Sequence, residues 1–164
     1  MAGGLDPFHV FRFQVDFNTD PIGGGTAADN VPICRGAFAE CSGLEATMEP
    51  KVIKEGGRNY GPVQRMGLVS FTTVVLKRGV TTAPDLFRWF ELVGNGAYAY
   101  RLAATVTMFD ASGTGVLSWK LEKALPIKFR AASFIAKSST DVGIEELHLA
   151  HEGLTLIPPK VTQL

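Results

Sequence analysis

Apolar and polar residues alternate without a fault along Phe11-Arg12-Phe13-Gln14-Val15-Asp16-Phe17. A period of two places the aromatic side chains on one face of a half-buried strand. Cys34 to Leu44 reads as a second strand, broken by Ser42-Gly43, and another is expected near Thr47 to Ile53. Gly67 to Lys77 is apolar in both registers, with Val69, Phe71, Thr73 and Val75 against Leu68, Val74 and Leu76. Such a strand belongs between two layers or against a partner chain. Tyr98 to Phe109 sends Tyr98, Tyr100, Leu102, Val106 and Met108 one way, and Ala99, Arg101, Ala103, Thr105 and Thr107 the other. Val116 to Lys123 alternates again, Leu117, Trp119 and Leu121 opposing Ser118, Lys120 and Glu122. Asp110-Ala111-Ser112-Gly113 supplies the hairpin turn between these two strands. Ala124-Leu125-Pro126 is expected to break the second of them before Ile127 to Arg130 resumes it. The last block, Ile144 to Ile157, is interrupted at Gly153.

Only one segment carries a helical period. Leu86, Trp89, Phe90 and Val93 fall at i, i+3, i+4 and i+7, an apolar stripe that predicts a helix over about 82–94 anchored on the sheet by those residues. Thr82 is the expected N-cap, with Asp85 completing a capping-box-like pair and Pro84 in the first turn. Gly94-Asn95-Gly96 ends it. Two stretches lack a period. Residues 18–35, with Asp20-Pro21 and Gly23-Gly24-Gly25, predict a flexible loop, long for a compact domain. Residues 45–66 predict an extended polar arm, in which Lys54, Glu55, Arg58, Tyr60 and Arg65 are candidates for contact with another subunit. The sum is roughly seven or eight strands and one helix.

Composition narrows this to one β-dominated domain over 1–164. Apolar residues make up 46% and charged residues 20%, enough for a core, and 18 Gly with 9 Pro favour turns over long helices. Sixteen Lys and Arg balance sixteen Asp and Glu. With zero net charge there is no global field to draw the chain onto nucleic acid or anionic lipid. No run approaches the roughly 18 apolar residues of a membrane span. Met1 to Pro7 lacks the basic and apolar regions of a signal peptide, so synthesis in the cytoplasm is expected.

Candidate chemistry is sparse. There is no phosphate-binding G-x-x-x-x-G-K-[ST], no G-x-G-x-x-G between strand and helix, and no G-x-S-x-G elbow. Cys34 and Cys41 fit neither a zinc knuckle nor a C-x-x-C pair and read as small buried hydrophobes. In a strand, His148 and His151 point to opposite faces, leaving only Glu146 and His148 side by side, and two ligands do not make a zinc site. His9 has no nearby Ser or Cys partner. Lys54, Arg58 and Arg65 with Tyr60 outline a basic patch that Glu49 and Glu55 dilute, so specific nucleic-acid recognition is not expected. The residues point to no enzyme, metal or cofactor. The alternatives are a small metal-dependent β-domain enzyme built on Glu146, His148 and His151, and a ligand-binding sandwich stable as a monomer.

The ordered set of short motifs is more specific than any one of them. Asp6-Pro7-Phe8 with Phe11-Arg12-Phe13, Ser42-Gly43-Leu44-Glu45, Glu55-Gly56-Gly57, Leu76-Lys77-Arg78-Gly79, Phe87-Arg88-Trp89, Ala124-Leu125-Pro126-Ile127-Lys128, and Glu145 through Leu154 follow one another along nearly the whole chain. In that order they resemble the tail tube proteins of contractile phages and of phage-like extracellular contractile injection systems, a family related in fold to the type VI secretion tube protein. The connection over 18–35 is longer and richer in Gly than the family's short turn.

The resemblance implies an antiparallel β-sandwich or barrel-like subunit that forms homohexameric rings stacked into a hollow tube inside a contractile sheath. Neighbouring sheets would join edge to edge around a lumen that conducts cargo, effector protein or DNA. Expected partners are other copies of the chain, the sheath protein, baseplate or spike proteins, tube-terminating proteins and the cargo. The assembled location is a virion tail or tail-like particle. A baseplate-proximal initiator of the same fold is the alternative to a repeating subunit. Thr105, Thr107, Ser118, Lys120 and Glu122 are candidates for the lumen face; a surface facing sheath or solvent is the other reading of the same residues.

Overall fold

The computed structural model describes residues 12–20, 38–97, 100–136 and 140–158. Most of the expected 18–35 loop, Cys34, His9, Tyr98 and Ala99 lie outside them. Among the described residues, eleven strands and one helix follow in the order β1 (Arg12–Thr19), β2 (Phe38–Ser42), β3 (Ala46–Met48), β4 (Lys51–Ile53), β5 (Val63–Arg65), β6 (Val69–Phe71), β7 (Val74–Gly79), α1 (Asp85–Gly94), β8 (Leu102–Phe109), β9 (Gly115–Arg130), β10 (Ile144–Ala150) and β11 (Gly153–Ile157).

Seven strands make one antiparallel sheet in the order β1-β8-β9-β10-β7-β2, with β11 added alongside β9. The long β9 is its spine. Its first part pairs with β8 and β11, and residues 125–130 pair with β10. The predicted break at Pro126 is therefore corrected: the strand runs through. Its irregularity lies instead at Lys123, whose positive φ of 49° turns the chain between partners. Asp20 supports that residue, its carboxylate accepting the Lys123 N–H at 2.9 Å, while Arg101 donates to the Lys123 carbonyl at 3.2 Å. Pro126 lies in the ladder beside the register shift between His148 and Leu149, where a missing donor is tolerated.

The two half-sheets share one core. Val15 and Phe17 of β1, Ala104 and Val106 of β8 and Leu121 of β9 meet Val74 and Leu76 of β7 and Leu147 and Leu149 of β10. The alternation read from β1 holds, with Val15 and Phe17 buried and Arg12 and Gln14 exposed. The turn at Asp110 also forms as predicted. Its carboxylate accepts the Ser112 hydroxyl and the Ser112 and Thr114 N–H groups, which hold it below the usual carboxylate range, and Gly113 takes φ 83°.

The helix closes the core. Leu86 and Trp89 are buried, and Trp89 meets Phe17 edge to face at 5.6 Å between ring centroids. Phe90 and Val93 are half-buried, and Val93 packs against the core from its edge. The cap is corrected. Pro84, not Thr82, is the N-cap, and no side chain caps the helix. Asp85 is the first helical residue; its carboxylate accepts the Leu86 N–H and is engaged by Arg78 of β7.

The expectation for Gly67 to Lys77 is also revised. Thr72 and Thr73 divide it into β6, which leaves the body, and β7, which crosses the core with Val74, Leu76 and Arg78 buried. Leu68, far from lying between layers, is 89% exposed.

Candidate functional site

The segment expected as an extended arm is a two-stranded hairpin standing off the sheet. β3 pairs with β6 and β4 with β5, and the Thr72 N–H donates to the Glu45 carbonyl at its base. Two glycines permit this. At Gly67 a Cβ would fall 1.6 Å from the Glu49 carbonyl oxygen; at Gly43, with φ 86°, it would fall 2.2 Å from that of Thr73. Ring contact between Phe71 and His151, with centroids 5.1 Å apart, joins the base to the corner between β10 and β11. Farther out, Arg65 lies in β5 directly opposite Lys51, and Lys54, Glu55, Arg58 and Tyr60 lie on the connecting turn. Arg58 and Glu55 form a loose pair at 3.9 Å, and Tyr60 is 95% exposed. Isolated hairpins are marginal in water, and like charges opposed across a ladder weaken them further.

The five residues read as a polar strand face do come together. Across β1, β8, β9 and β11 run two rows, Gln14–Thr107–Ser118–Ile157 and Asp16–Thr105–Lys120–Thr155, and Glu122 lies opposite Gly153. Thr107 and Ser118 share a hydroxyl hydrogen bond of 3.1 Å, and Gln14 donates to Asp16 at 2.7 Å. The opposite face carries Val15–Val106–Trp119–Leu156 and Phe17–Ala104–Leu121–Leu154, which is the core side. Among the described residues, β1 and β11 have no partner on their outer edges. This half-sheet thus has a polar face, an apolar face and two open ends.

The other half-sheet also has a patterned outer face. Glu40, Lys77, Glu146 and Arg130 form a row of alternating charge across β2, β7, β10 and β9, with Lys77–Glu40 at 3.0 Å and Arg130–Glu146 at 3.6 Å. Glu146 and His148 do share a face, 3.5 Å apart, and His151 turns away to place Nδ1 2.9 Å from the Gly153 carbonyl. Among the described residues no three His, Cys, Asp or Glu side chains converge as metal ligands. No helix is long and apolar enough to cross a membrane, again among the described residues.

Arg78 is the functional-looking group the sequence reading passed over. It is 2% exposed, with Nε 2.5 Å from Glu145, one nitrogen 3.2 Å from the Ala83 carbonyl, and its fork on Asp85. Burial works against its charge, but the bonds from Asp85 and Glu145 outweigh that and hold the guanidinium more firmly protonated than usual. The signal lay in the alternation itself, which puts Arg78 in register with Leu76 and Val74. Cys41 is half-buried; burial, and then the Glu40 charge, push its thiol up to about 11.

Comparison with known proteins places this architecture. No curated protein matches the sequence. The fold is shared with a chain of the cryo-EM structure of the anti-feeding prophage (AFP) baseplate, at 23% identity and TM-score 0.69 over 98% of this chain and 100% of that one. It is shared equally with the sheath-tube complex of the extracellular contractile injection system PVC, at 21% identity and TM-score 0.72 over 93% of this chain and 92% of that one. Hcp1 from Flavobacterium johnsoniae extends the likeness to the type VI tube proteins, at 13% identity and TM-score 0.51 over 87% of this chain and 93% of that one. A profile of the T4-like virus tail tube protein gp19 matches residues 9–155, and the chain, with its sheet and standing hairpin, belongs to that tail tube family.

Proposed function

We propose that the protein is the repeating structural subunit of the inner tube of a contractile tail or injection particle, with homohexameric rings stacked into a conduit. The observation that carries this reading is the half-sheet β1-β8-β9-β11, open at both outer edges and polar on its exposed face. An open edge invites uncontrolled pairing, and cyclic closure with β11 of one copy beside β1 of the next removes it. Family membership supports the same assignment. In such a ring Thr105, Thr107, Ser118, Lys120 and Glu122 face the lumen. Hydroxyls and balanced charges pass a cargo without holding it. The role is mechanical, and sheath, baseplate and tube-terminating proteins are its partners beside its own copies.

The hairpin is the second joint. Lys54, Glu55, Arg58, Tyr60 and Arg65 stand away from the body on an element with no core of its own, which suits contact between subunits and between rings. Electron microscopy of concentrated protein, or of particles containing it, should show hollow rings or tubes. A monodisperse monomer at every concentration, absent from any sheath-bearing particle, would overturn the proposal. Copy number separates the repeating subunit, present along the whole tube, from an initiator present as about one ring.

A further inference from the structure

Lys123 holds a backbone conformation that its own side chain disfavours. Among the described residues it is the one non-glycine residue with positive φ, at 49°, a region in which Cβ crowds the following carbonyl. The position is a bulge. Between the pairs Leu102–Ala124 and Ala104–Leu121, Glu122 and Lys123 together oppose the single Ala103. It is also a boundary: β11 pairs with residues 118–122 of β9, and β10 with residues 125–130. The bend thus falls where β9 passes from one half-sheet into the other.

Both peptide groups at the bend are held by side chains. The Lys123 N–H donates to Asp20 Oδ2 at 2.9 Å, and the Lys123 carbonyl accepts from Arg101 Nη1 at 3.2 Å. The other carboxylate oxygen of Asp20 stands 3.5 Å from Lys123 Nζ, so one side chain grips the backbone and the ammonium of the same residue. Asp20 is itself fixed, its N–H donating to the Arg101 carbonyl at 2.9 Å. A strained backbone persists only where its surroundings over-determine it. Glycine would bend here without strain but would also visit other conformations. A clamped lysine has one. We propose that Asp20 is a positioning residue: by holding Lys123 in the left-handed conformation it sets the angle between the β1-β8-β9-β11 half and the half built from β10, β7 and β2. In a ring that angle fixes the curvature of the wall and so the bore. This consequence rests on the tube reading; the joint does not.

The test measures the angle in the full-length chain. With Cys34→Ser and Cys41→Ser as background, Lys128→Cys and Thr155→Cys place one spin label on each half, both at exposed sites. Labelled chain diluted into unlabelled chain reports intrachain distances by pulsed electron resonance. Asp20→Ala should broaden and shift the narrow distribution of the parent. Asp20→Asn keeps an oxygen for the Lys123 N–H and should preserve it. Adding Lys123→Gly to Asp20→Ala should return the mean distance to the parental value, because glycine takes this φ without strain. A parental distribution in Asp20→Ala, or a shift that Lys123→Gly leaves in place, overturns the proposal. If Asp20→Ala yields no folded chain, recovery of folded chain by Lys123→Gly supports the joint and its failure overturns it. Electron microscopy then tests the bore. Rings of Asp20→Ala should vary in diameter where parental rings are uniform, and uniform parental rings despite a shifted distance would break the link between joint and bore. A parent that forms no ring counts against the tube reading alone.

Discussion

Arg78 joins three elements at one buried point: β7 that bears it, β10 through Glu145 and the first turn of α1 through Asp85. Removing one partner of such a set strands the others, and breaking a buried ion pair costs about 3–5 kcal/mol. Arg78→Met should therefore lower the unfolding free energy by that order, seen as a lower denaturant midpoint. Arg78→Lys should recover only part of it, because a point charge cannot bond Asp85 and Glu145 through a fork. Equal midpoints for Arg78→Met and the parent would contradict this assignment. The period of two already pointed Arg78 inward, but the motif Lys77-Arg78-Gly79 reads locally as a polar strand end. What resolves it is Glu145 in register across the ladder, a pairing that no local pattern encodes. Cys41 offers a pH test. Its folded thiol is raised from the ordinary 9.0 to about 11, so its contribution to stability is intact below pH 9 and lost as pH rises through 11. Unfolding measured across that window should show the loss in the parent and a flatter profile in Cys41→Ser. Identical profiles would show that the Cys41 thiol ionises alike in both states.

At the scale of elements, the helix and the hairpin behave in opposite ways. Trp89 is 1% exposed against Phe17, and truncating a buried aromatic to Ala costs about 3–5 kcal/mol. Trp89→Ala should reduce soluble yield; Phe90→Ala, at a half-buried site, should cost markedly less. Similar losses in thermal unfolding for the two would show that the stripe is anchored as broadly as the sequence suggests. The hairpin contributes nothing to the core, so shortening 55–61 should leave the unfolding midpoint of the body unchanged while abolishing stacking. Limited proteolysis should cut the parent's arm quickly when free and slowly when assembled. Long tubes from the shortened variant would make the arm a mere loop. Gly67→Ala should disturb the arm first, since the atoms nearest its Cβ are the Glu49 carbonyl group and Cα on the facing limb. Strands β1 and β8, the Asp110 turn and the helix were legible because each is set by local period or turn chemistry. The hairpin was legible only in its first limb, expected as a strand near Thr47 to Ile53 and found as β3 and β4; its return limb and pairing were not, since they depend on two glycines whose close approaches appear only in three dimensions. The bend of β9 was hidden likewise, because Pro126 is the local signal for a break while Lys123, held by Asp20, is where the backbone turns.

For the whole molecule, period alone sorted Thr105, Thr107, Ser118, Lys120 and Glu122 onto one face, and the structure assembles them into cross-strand rows. Which surface of a ring that face becomes was beyond the sequence, since a solvated face and a lumen face use the same residue types. The other outer face competes for the role with its Glu40–Lys77–Glu146–Arg130 row, but it belongs to strands whose ladder already continues through β9 into the rest of the sheet. Among the described residues β2 is an open edge too, but the central claim is that the open edges of β1 and β11, at the two ends of the β1-β8-β9-β11 half, are the ones that ring closure joins. The direct test is cryo-electron microscopy of the assembled tube at a resolution that separates strands. The account predicts six-fold rings in which β11 of each copy hydrogen-bonds to β1 of the next and Thr105 and Lys120 line the lumen. A lumen lined by Lys77 and His148, or rings whose β1 and β11 edges remain apart, would contradict it.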